Sequence, residues 1–585
     1  SKCFCKFLTN FFFSFVSILK DKVPLFYGLF QIFSRVLEGY HKTYYFQVLS
    51  RYFINFFYLL IPRNLGIRVK QEFSRELKNT KFIQTRIQEF CCSSKELWSL
   101  VYLEFLGRRI MKKLILTYPN QRWQKSDMNT VWDMNPATLL LLAAMVKDLV
   151  EIKIIDAQFH DMSQEEFRQK VQDIRPDYVG ISVMTSEYQD IVDITARIVK
   201  EIDKDIVTIV GGVHVTTKYE YVMRNNDIDF GVIGEGEYVL RNLILYLNNK
   251  ALFPIEGLVY REDGKIIAQN RVLVENLLEL TWPDYSMIDM KPYFNKGARF
   301  GPNRPPKFPY VKMVTTRGCP FGCSFCQVDL ISGKKVRARD PEDVVNELLF
   351  LKNTYGVKSV VFEDDNMLMA DKGEFAKKLF SLMREKELNL EWVGIAFALF
   401  LLNDEILDLM RDSGCVGINV AIESGNERVL KKIVKKPIKN LTTVPPTIKK
   451  VKDRGMYCIA NFIIGFPSER WDEIRQTISF AETCGADYVK FFVAVPLYGT
   501  KLHKIALEMG SLTSSGEFPI TDWRYSQIRS DEWNEKDISI LRVYEWDRIN
   551  FSPERIGRVA QIWGIPIDEL NKIRQKTREN LQQGF

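Results

Sequence analysis

The stretch Val314-Thr-Thr-Arg-Gly-Cys-Pro-Phe-Gly-Cys-Ser-Phe-Cys-Gln327 decides how this sequence is read. It places Cys319, Cys323 and Cys326 at the spacing Cys-x-x-x-Cys-x-x-Cys, with Gly318 and Gly322 free to let the loop curl round a ligand. Three thiolates on one short loop hold three irons of a 4Fe–4S cluster and leave the fourth iron open. Structural zinc wants a fourth protein ligand. No His lies within seventy residues of the loop, and no fourth Cys belongs to the group. The other cysteines, Cys3, Cys5, Cys91, Cys92, Cys415, Cys458 and Cys484, form no dense disulfide pattern, which points to a reducing cytosol. The last three fall in strand or helix text, where a Cys behaves as a small buried apolar residue.

Outward from the loop, residues 311–500 alternate strand and helix text six times, from VKMVTT through SVVFED, LEWVGIA, VGINVAIES and YCIANFIIG to DYVKFFVAVP. In a parallel barrel the reactive residues stand at the carboxyl ends of the strands. Those ends hold the cysteine loop, Phe362 to Asn366, Glu423-Ser424-Gly425, Gly465-Phe466-Pro467-Ser468-Glu469, and Pro496 to Thr500. Any one of these acidic groups also reads as a solvated strand end or a helix cap. Four such segments in register behind a cysteine loop favour a site.

Residues 111–250 also alternate, five strands with five helices, and the strands are continuous β-branched runs, as in a parallel sheet buried on both faces. Ligands of such sheets bind beyond the strand carboxyl ends. Here those ends carry Pro119-Asn120, Asp156, Ser182 to Ser186, Gly211-Gly212-Val213-His214, and Gly234-Glu235-Gly236-Glu237. No GxGxxG follows the first strand, which disfavours a dinucleotide, and the paired acidic residues of a response regulator are missing from that position. Residues 251–310 read as a connector with a hairpin turning at Asp263-Gly264. Residues 510–585 read as a helical cap, in which Trp523, Tyr525, Trp533, Tyr544 and Trp546 are expected to pack over the open barrel rather than line a substrate mouth.

The cysteine loop, with Phe325 before its last Cys, resembles the hallmark of radical S-adenosylmethionine (SAM) enzymes, and residues 311–509 resemble their partial barrel. The run 111–250, with GGVHVT and DFGVIGEGE, resembles the cobalamin-binding domain found ahead of such barrels. The resemblance implies an α/β chain: a doubly wound, Rossmann-like cobalamin-binding domain followed by a partial (β/α)6 barrel. It implies a 4Fe–4S cluster on Cys319, Cys323 and Cys326, with SAM on the open iron. Phe325, Glu363, Asp364, Glu423, Ser424, Gly465 and Pro467 are the positions it assigns to SAM. Ser182, Thr185, Gly211, Gly212, His214, Gly234, Glu235 and Gly236 are those it assigns to cobalamin. Asp156-Ala-Gln-Phe-His160-Asp161 breaks the Asp-x-His-x-x-Gly pattern of a lower axial His, so cobalamin is expected without a protein His on that face.

Such enzymes split SAM by one-electron reduction to a 5′-deoxyadenosyl radical, which abstracts hydrogen from an unreactive carbon. In the methyltransferase branch, a second SAM methylates cob(I)alamin and the substrate radical takes that methyl group. The expected reaction is methyl transfer to an unactivated carbon. The alternatives are radical cyclisation or rearrangement of a lipid or tetrapyrrole without methylation, or a non-enzymatic cobalamin or redox sensor. Expected partners are a small-molecule, lipid or tetrapyrrole substrate and an electron donor such as ferredoxin or flavodoxin. No catalytic residue is assigned, since radical abstraction needs no general base.

Composition narrows the partners. The chain has 585 residues and a formal charge of 81 − 73 = +8. Residues 1–110 hold 17 Lys+Arg against 7 Asp+Glu, leaving 64 against 66, or −2, over the other 475. Nucleic acid therefore drops from the expected partners. The same segment has 17 of the 40 Phe and no Met, and its apolar runs fall short of the ~18 residues of a membrane span. It reads as a peripheral-membrane or docking extension, as a helical domain particular to this protein, or as translated non-coding text ahead of Met111. The expected location is cytoplasmic, with at most peripheral membrane contact.

Overall fold

Two parallel sheets, each covered by helices, organise the chain. The computed structural model describes residues 111–123, 136–183, 189–295, 307–513 and 525–583. Residues 1–110, and with them the N-terminal expectations, lie outside the described residues.

The first sheet has the order β2-β1-β3-β4-β5-β6-β7, with β1 Lys113–Tyr118, β2 Glu151–Asp156, β3 Tyr178–Ser182, β4 Val207–Gly211 and β5 Phe230–Val232 all parallel. Helices α1 Ala137–Val146, α2 Gln164–Ile174, α3 Gln189–Ile202, α4 Val213–Val222 and α5 Gly236–Leu247 alternate with the strands. Alternate residues of β1 and β3 supply two cores. Ile115, Val179 and Ile181 pack with Phe167, Val171, Ile191 and Val199 of α2 and α3. Leu114, Leu116 and Tyr178 pack with Leu139, Leu243 and Ile244 of α1 and α5. This two-sided burial is why the strands read as unbroken apolar runs. Chain order reverses between β1 and β3, and a doubly wound sheet opens its ligand crevice at that switch point.

The hairpin of β6 Leu258–Glu262 and β7 Lys265–Ala268 turns at Asp263 (φ 49°) and Gly264 (φ 76°), the paired positive φ values of a tight hairpin turn. It does not stand apart as a connector. Instead β6 pairs antiparallel with β5 and extends the first sheet.

The second sheet has six parallel strands in the order β15-β14-β13-β12-β11-β8: β8 Tyr310–Met313, β11 Ser359–Phe362, β12 Glu391–Phe397, β13 Cys415–Glu423, β14 Tyr457–Ile464 and β15 Tyr488–Val493. The short β9 Thr316–Arg317 and β10 Arg337–Ala338 form a separate antiparallel pair. Helices α6 Pro341–Tyr355, α7 Glu374–Glu385, α8 Asp404–Asp412, α9 Val444–Asp453, α10 Trp471–Thr483 and α11 Lys501–Glu508 follow the successive strands. Val360, Phe362, Trp392, Ile418, Val420, Ala460, Phe462, Val489 and Phe491 face those helices in the largest core. Alternation turns Lys312, Asn461 and Lys490 to the concave side. Since β15 and β8 do not pair, the barrel is open, a partial (β/α)6 barrel.

An unpaired parallel edge must be covered. Here α12 Glu535–Asn550 lies on β15, where Asn550 Oδ1 accepts from Val489 N (2.8 Å) and its Nδ2 donates to Val489 O (2.8 Å). Two further helices, α13 Ile556–Trp563 and α14 Ile567–Gln583, complete the cap. Trp533 donates to Glu469 O (2.8 Å), Trp546 to Tyr488 Oη (2.5 Å) and Tyr525 to Asn580 O (2.9 Å), so these three bind the cap to itself and to the barrel. Tyr544 departs from the expectation and is 62% exposed, while Trp523 lies outside the described residues. Among the described residues no helix is long and apolar enough to cross a membrane.

Trp392 is fully buried, stacks on Phe380 (4.9 Å, 19°) and donates from Nε1 to Ser413 Oγ. Trp392→Ala is expected to cost about 4 kcal/mol through the cavity it leaves, read as a melting temperature lower by roughly 10 °C. An unchanged melting temperature would show that the barrel core does not limit stability.

Candidate active site

The cysteine loop is fixed from below by two consecutive carboxylates at the end of β11. Asp364 Oδ1 accepts from Thr315 N (2.7 Å), Thr315 Oγ1 (2.9 Å), Thr316 Oγ1 (2.9 Å) and Thr316 N. Asp365 Oδ2 accepts from Gly318 N (2.8 Å). Gly318 has φ 96°, and a Cβ there would stand 2.3 Å from Lys335 O, so no other residue fits. Cys319 N then donates to Gly333 O (3.1 Å), and Asn366 Nδ2 lies 3.5 Å from Cys319 Sγ.

Cys319, Cys323 and Cys326 are free thiols, each partly buried. Burial pushes Cys326 up to about 12, with Cys323 and Cys319 adding to the shift. Cys323 is also raised by burial, opposed by the Lys436 ammonium. Cys323 and Cys326, reluctant to ionise alone, belong to a donor set that a metal's charge would hold as thiolates. Among the described residues no three His, Cys, Asp or Glu side chains converge on a single-ion position. A loop in which each thiol takes a different iron has no such point of convergence. The donor set fits a 4Fe–4S cluster.

Glu423 ends β13 with φ 74°, where the β13–β14 register slips between Ala421 and Glu423. Its Oε1 pairs with Lys436 Nζ at 2.9 Å, both side chains under one-tenth exposed. Residues Val429–Val434 are π-helical, a geometry frequent at functional sites, and Val434 O accepts from Ser324 N of the cysteine loop (2.9 Å). Sequence reading missed Lys436 because it sits in a lysine-rich run. The signal was Pro437: the residue before a proline is driven out of helical geometry, so Lys436 turns inward while Lys431, Lys432 and Lys435 stay exposed.

Phe325 meets Phe466 (6.4 Å, 51°), which joins the cysteine loop to the Gly465–Glu469 segment. Gly465 has φ 83° and, with Phe466, donates its backbone N–H to Glu469 Oε2 (2.8 and 3.0 Å); Pro467 is buried beside them. Glu363 lies on the concave side, paired with Lys312 at 2.9 Å. Asp364 and Ser424 are both engaged by the barrel itself. Asp364 is buried, with four donors on Oδ1 and none among the described residues on Oδ2. Ser424 is fully buried, its Oγ bonded to Thr477 Oγ1 (2.9 Å) and to Asn426 N (3.1 Å), so it ties β13 to α10.

In the first sheet, Gly212 (φ 108°) would place a Cβ 2.3 Å from Val183 O, and Gly234 (φ 89°) one 2.2 Å from Val272 O. Both glycines are steric requirements of the strand-end turns. Gly211 is roomier, its nearest neighbour 3.8 Å away, and it stands in register with the half-buried Ser182. Small residues along this carboxyl edge leave room for a bulky flat ligand such as cobalamin. Gly236 opens α5, and Thr185 lies outside the described residues. His160 is exposed, its ring 6.2 Å from that of Tyr293.

His214 and Glu235 are both engaged by side chains of the protein. His214 has no accessible surface; its Nε2 meets Gln189 Oε1 at 2.5 Å, and burial depresses it to about 4, so it is a neutral ring locking α4 to α3. Glu235 turns away from the crevice toward the barrel, where its oxygens bond Arg337 Nη1 (2.6 Å) and Nη2 (2.7 Å) and Val274 N (2.6 Å). A buried carboxylate takes the buried guanidinium within reach.

Replacing Cys319, Cys323 or Cys326 by Ala is expected to remove most bound iron and the brown cluster absorbance after anaerobic reconstitution. Cys458→Ala, deep in the barrel wall, should keep both; equal loss in all four would contradict the assignment. Burial also raises the Glu469 carboxyl to about 8. The folded chain then holds this proton more tightly than the unfolded one, so its stabilisation is present at low pH and drains away as pH rises through about 8. From about pH 6 to about pH 9 the melting temperature should fall less for Glu469→Gln than for the parent chain; parallel slopes would contradict the shift.

The comparisons agree with this geometry. The family model "Radical SAM superfamily" matches residues 313–481, and "B12 binding domain" matches residues 129–244. An uncharacterized methyltransferase of Pyrococcus horikoshii is 32% identical over 404 residues, covering 68% of this chain and 84% of its own. An anaerobic magnesium-protoporphyrin IX monomethyl ester cyclase of Rubrivivax gelatinosus is 27% identical over 403 residues, 66% of this chain and 68% of the relative. Among solved structures, the radical S-adenosylmethionine methyltransferase TsrM from Kitasatospora setae, with cobalamin and a 4Fe–4S cluster bound, superposes with TM-score 0.57 at 17% identity, over 69% of this chain and 76% of that one; this shows the shared fold. The chain belongs to the cobalamin-binding radical SAM enzymes, whose cofactors are a 4Fe–4S cluster, SAM and cobalamin.

Proposed function

We propose that this enzyme transfers a methyl group to an unactivated carbon of a small molecule. The observation that carries the reading is the meeting of the two strand-end surfaces. The Glu235–Glu237 loop after β5 reaches Arg317 of the cysteine loop, and Lys218 of α4 lies over the Tyr498 ring at 3.5 Å. Ligands at the two carboxyl edges then face one cavity. The likeness to the methyltransferase relative supports the same reading.

Bound there, the cluster and SAM would supply the radical, and cobalamin the methyl group. The chain's own residues would bind and orient them. Cys319, Cys323 and Cys326 would hold the irons. Lys436, paired with Glu423, would serve the SAM carboxylate, Glu363 its amino group, and Phe325 with Phe466 its adenosine. Ser182 and Gly211 would give cobalamin its clearance, with the turns held by Gly212 and Gly234. On the concave face Lys312, Asn461 and Lys490 offer polar contacts, which fits a substrate bearing polar or anionic groups. In this reading a one-electron carrier such as ferredoxin or flavodoxin supplies the reducing equivalent.

The second reading is radical cyclisation without methylation, favoured by the likeness to the protoporphyrin ester cyclase. Anaerobic incubation with methyl-labelled SAM and an extract of the producing cell separates the two. Methyl transfer predicts a labelled small molecule together with 5′-deoxyadenosine. Deoxyadenosine without label in any product would replace this reading with cyclisation or rearrangement.

A further inference from the structure

The Gly234–Glu237 segment does not spend its carboxylates on a ligand crevice. Glu235 is held fork to fork by Arg337 (2.6 and 2.7 Å) and lies 3.6 Å from Arg317 Nη1, while Glu237 Oε1 takes Arg317 Nη2 at 2.7 Å. The side chains of Glu235, Glu237 and Arg337 are under one-tenth exposed, and that of Arg317 is 20% exposed. The four formal charges cancel, and paired Arg–carboxylate contacts fix angle as well as distance.

Their placement matters more than their strength. Both glutamates follow β5 of the first sheet. Arg317 stands two residues before Cys319, at the point where Asp365 takes Gly318 N and Lys335 O crowds Gly318. Arg337 also donates to Val274 O (2.5 Å) and Ser332 O (2.7 Å), and Gly333, beside that serine, accepts from Cys319 N. Apart from the bonds of Glu235 and Arg337 to Val274, the contacts of the quartet beyond the first sheet end on the cysteine loop or on the segment lying against it.

We propose that Glu235, Glu237, Arg317 and Arg337 are positioning residues that set the cysteine loop, and with it the cluster, at a fixed distance from the carboxyl edge of the cobalamin-binding sheet. Removing one partner leaves a buried charge unpaired, and the loop relaxes relative to the first sheet while its thiols stay intact. The proposal rests on the cluster lying at Cys319, Cys323 and Cys326 and on cobalamin lying at the edge of the first sheet.

The test is the magnetic dipolar coupling between cob(II)alamin and the one-electron-reduced cluster, measured by pulsed EPR on anaerobically reconstituted holoenzyme after iron and cobalt assay. The parent enzyme should give one narrow distance distribution. Arg317→Gln, still carrying full iron and cobalt, should at least double its width. Arg317→Lys, which keeps the charge without the fork, should fall between. Arg454→Gln, which removes a cation from the outer ion pairs with Asp404 and Asp408, should match the parent. Should Arg317→Gln not fold, Glu237→Gln, which keeps the Glu235–Arg337 pair, carries the same expectation. A folded, fully loaded variant with the parent's distribution overturns the proposal, as does failure of both variants to fold, which would make the quartet purely structural. A parent enzyme without iron or cobalt refutes the cofactor sites themselves, before any variant is compared.

Discussion

The site depends on how two adjacent carboxylates, Asp364 and Asp365, hold the chain just before the cysteines. One oxygen of Asp364 gathers four donors from Thr315 and Thr316, and Asp365 takes the next free backbone N–H at Gly318. A flexible loop of three thiols would face a large entropic cost on wrapping a cluster. Here that cost is met at folding, because β11 and its carboxylates form with the barrel. Burial then constrains everything above it: Cys323 and Cys326 resist ionising alone, Lys436 needs Glu423, and the Arg317 guanidinium needs Glu237.

Much of this was legible in the sequence for a clear physical reason. A parallel strand covered on both faces can carry little but apolar residues, so each of the parallel strands announces itself as a short β-branched run. The first polar residues after it mark the carboxyl end. Cys-x-x-x-Cys-x-x-Cys is equally direct, since few tasks need three thiols on one turn. The strand and helix context of Cys415, Cys458 and Cys484 marked them as small buried apolar residues, and all three are buried free thiols.

What stayed hidden is direction. Glu235 and Asp364 occur in segments that resemble ligand-binding motifs, yet both carboxylates point into protein, one to Arg337 and one to the strand-one end. A sequence gives the position of a side chain along a strand but not which neighbour from another part of the chain arrives beside it. Ser424 and His214 show the same thing: each is polar at a strand end, and each bonds an adjacent helix. Lys436 is the converse, a largely buried cation paired with Glu423, concealed among solvent-facing lysines and marked only by the proline that follows it.

In the proposed enzyme, iron and cobalt stand at two strand-end edges facing one cavity. Anomalous diffraction from crystals of the loaded enzyme, collected separately at the iron and cobalt edges, locates both metals directly. Iron density enclosed by Cys319, Cys323 and Cys326, with cobalt beyond Ser182 and Gly211 on the same side of the molecule, is the predicted result. Cobalt on the opposite face, or iron away from those three sulfurs, would contradict it.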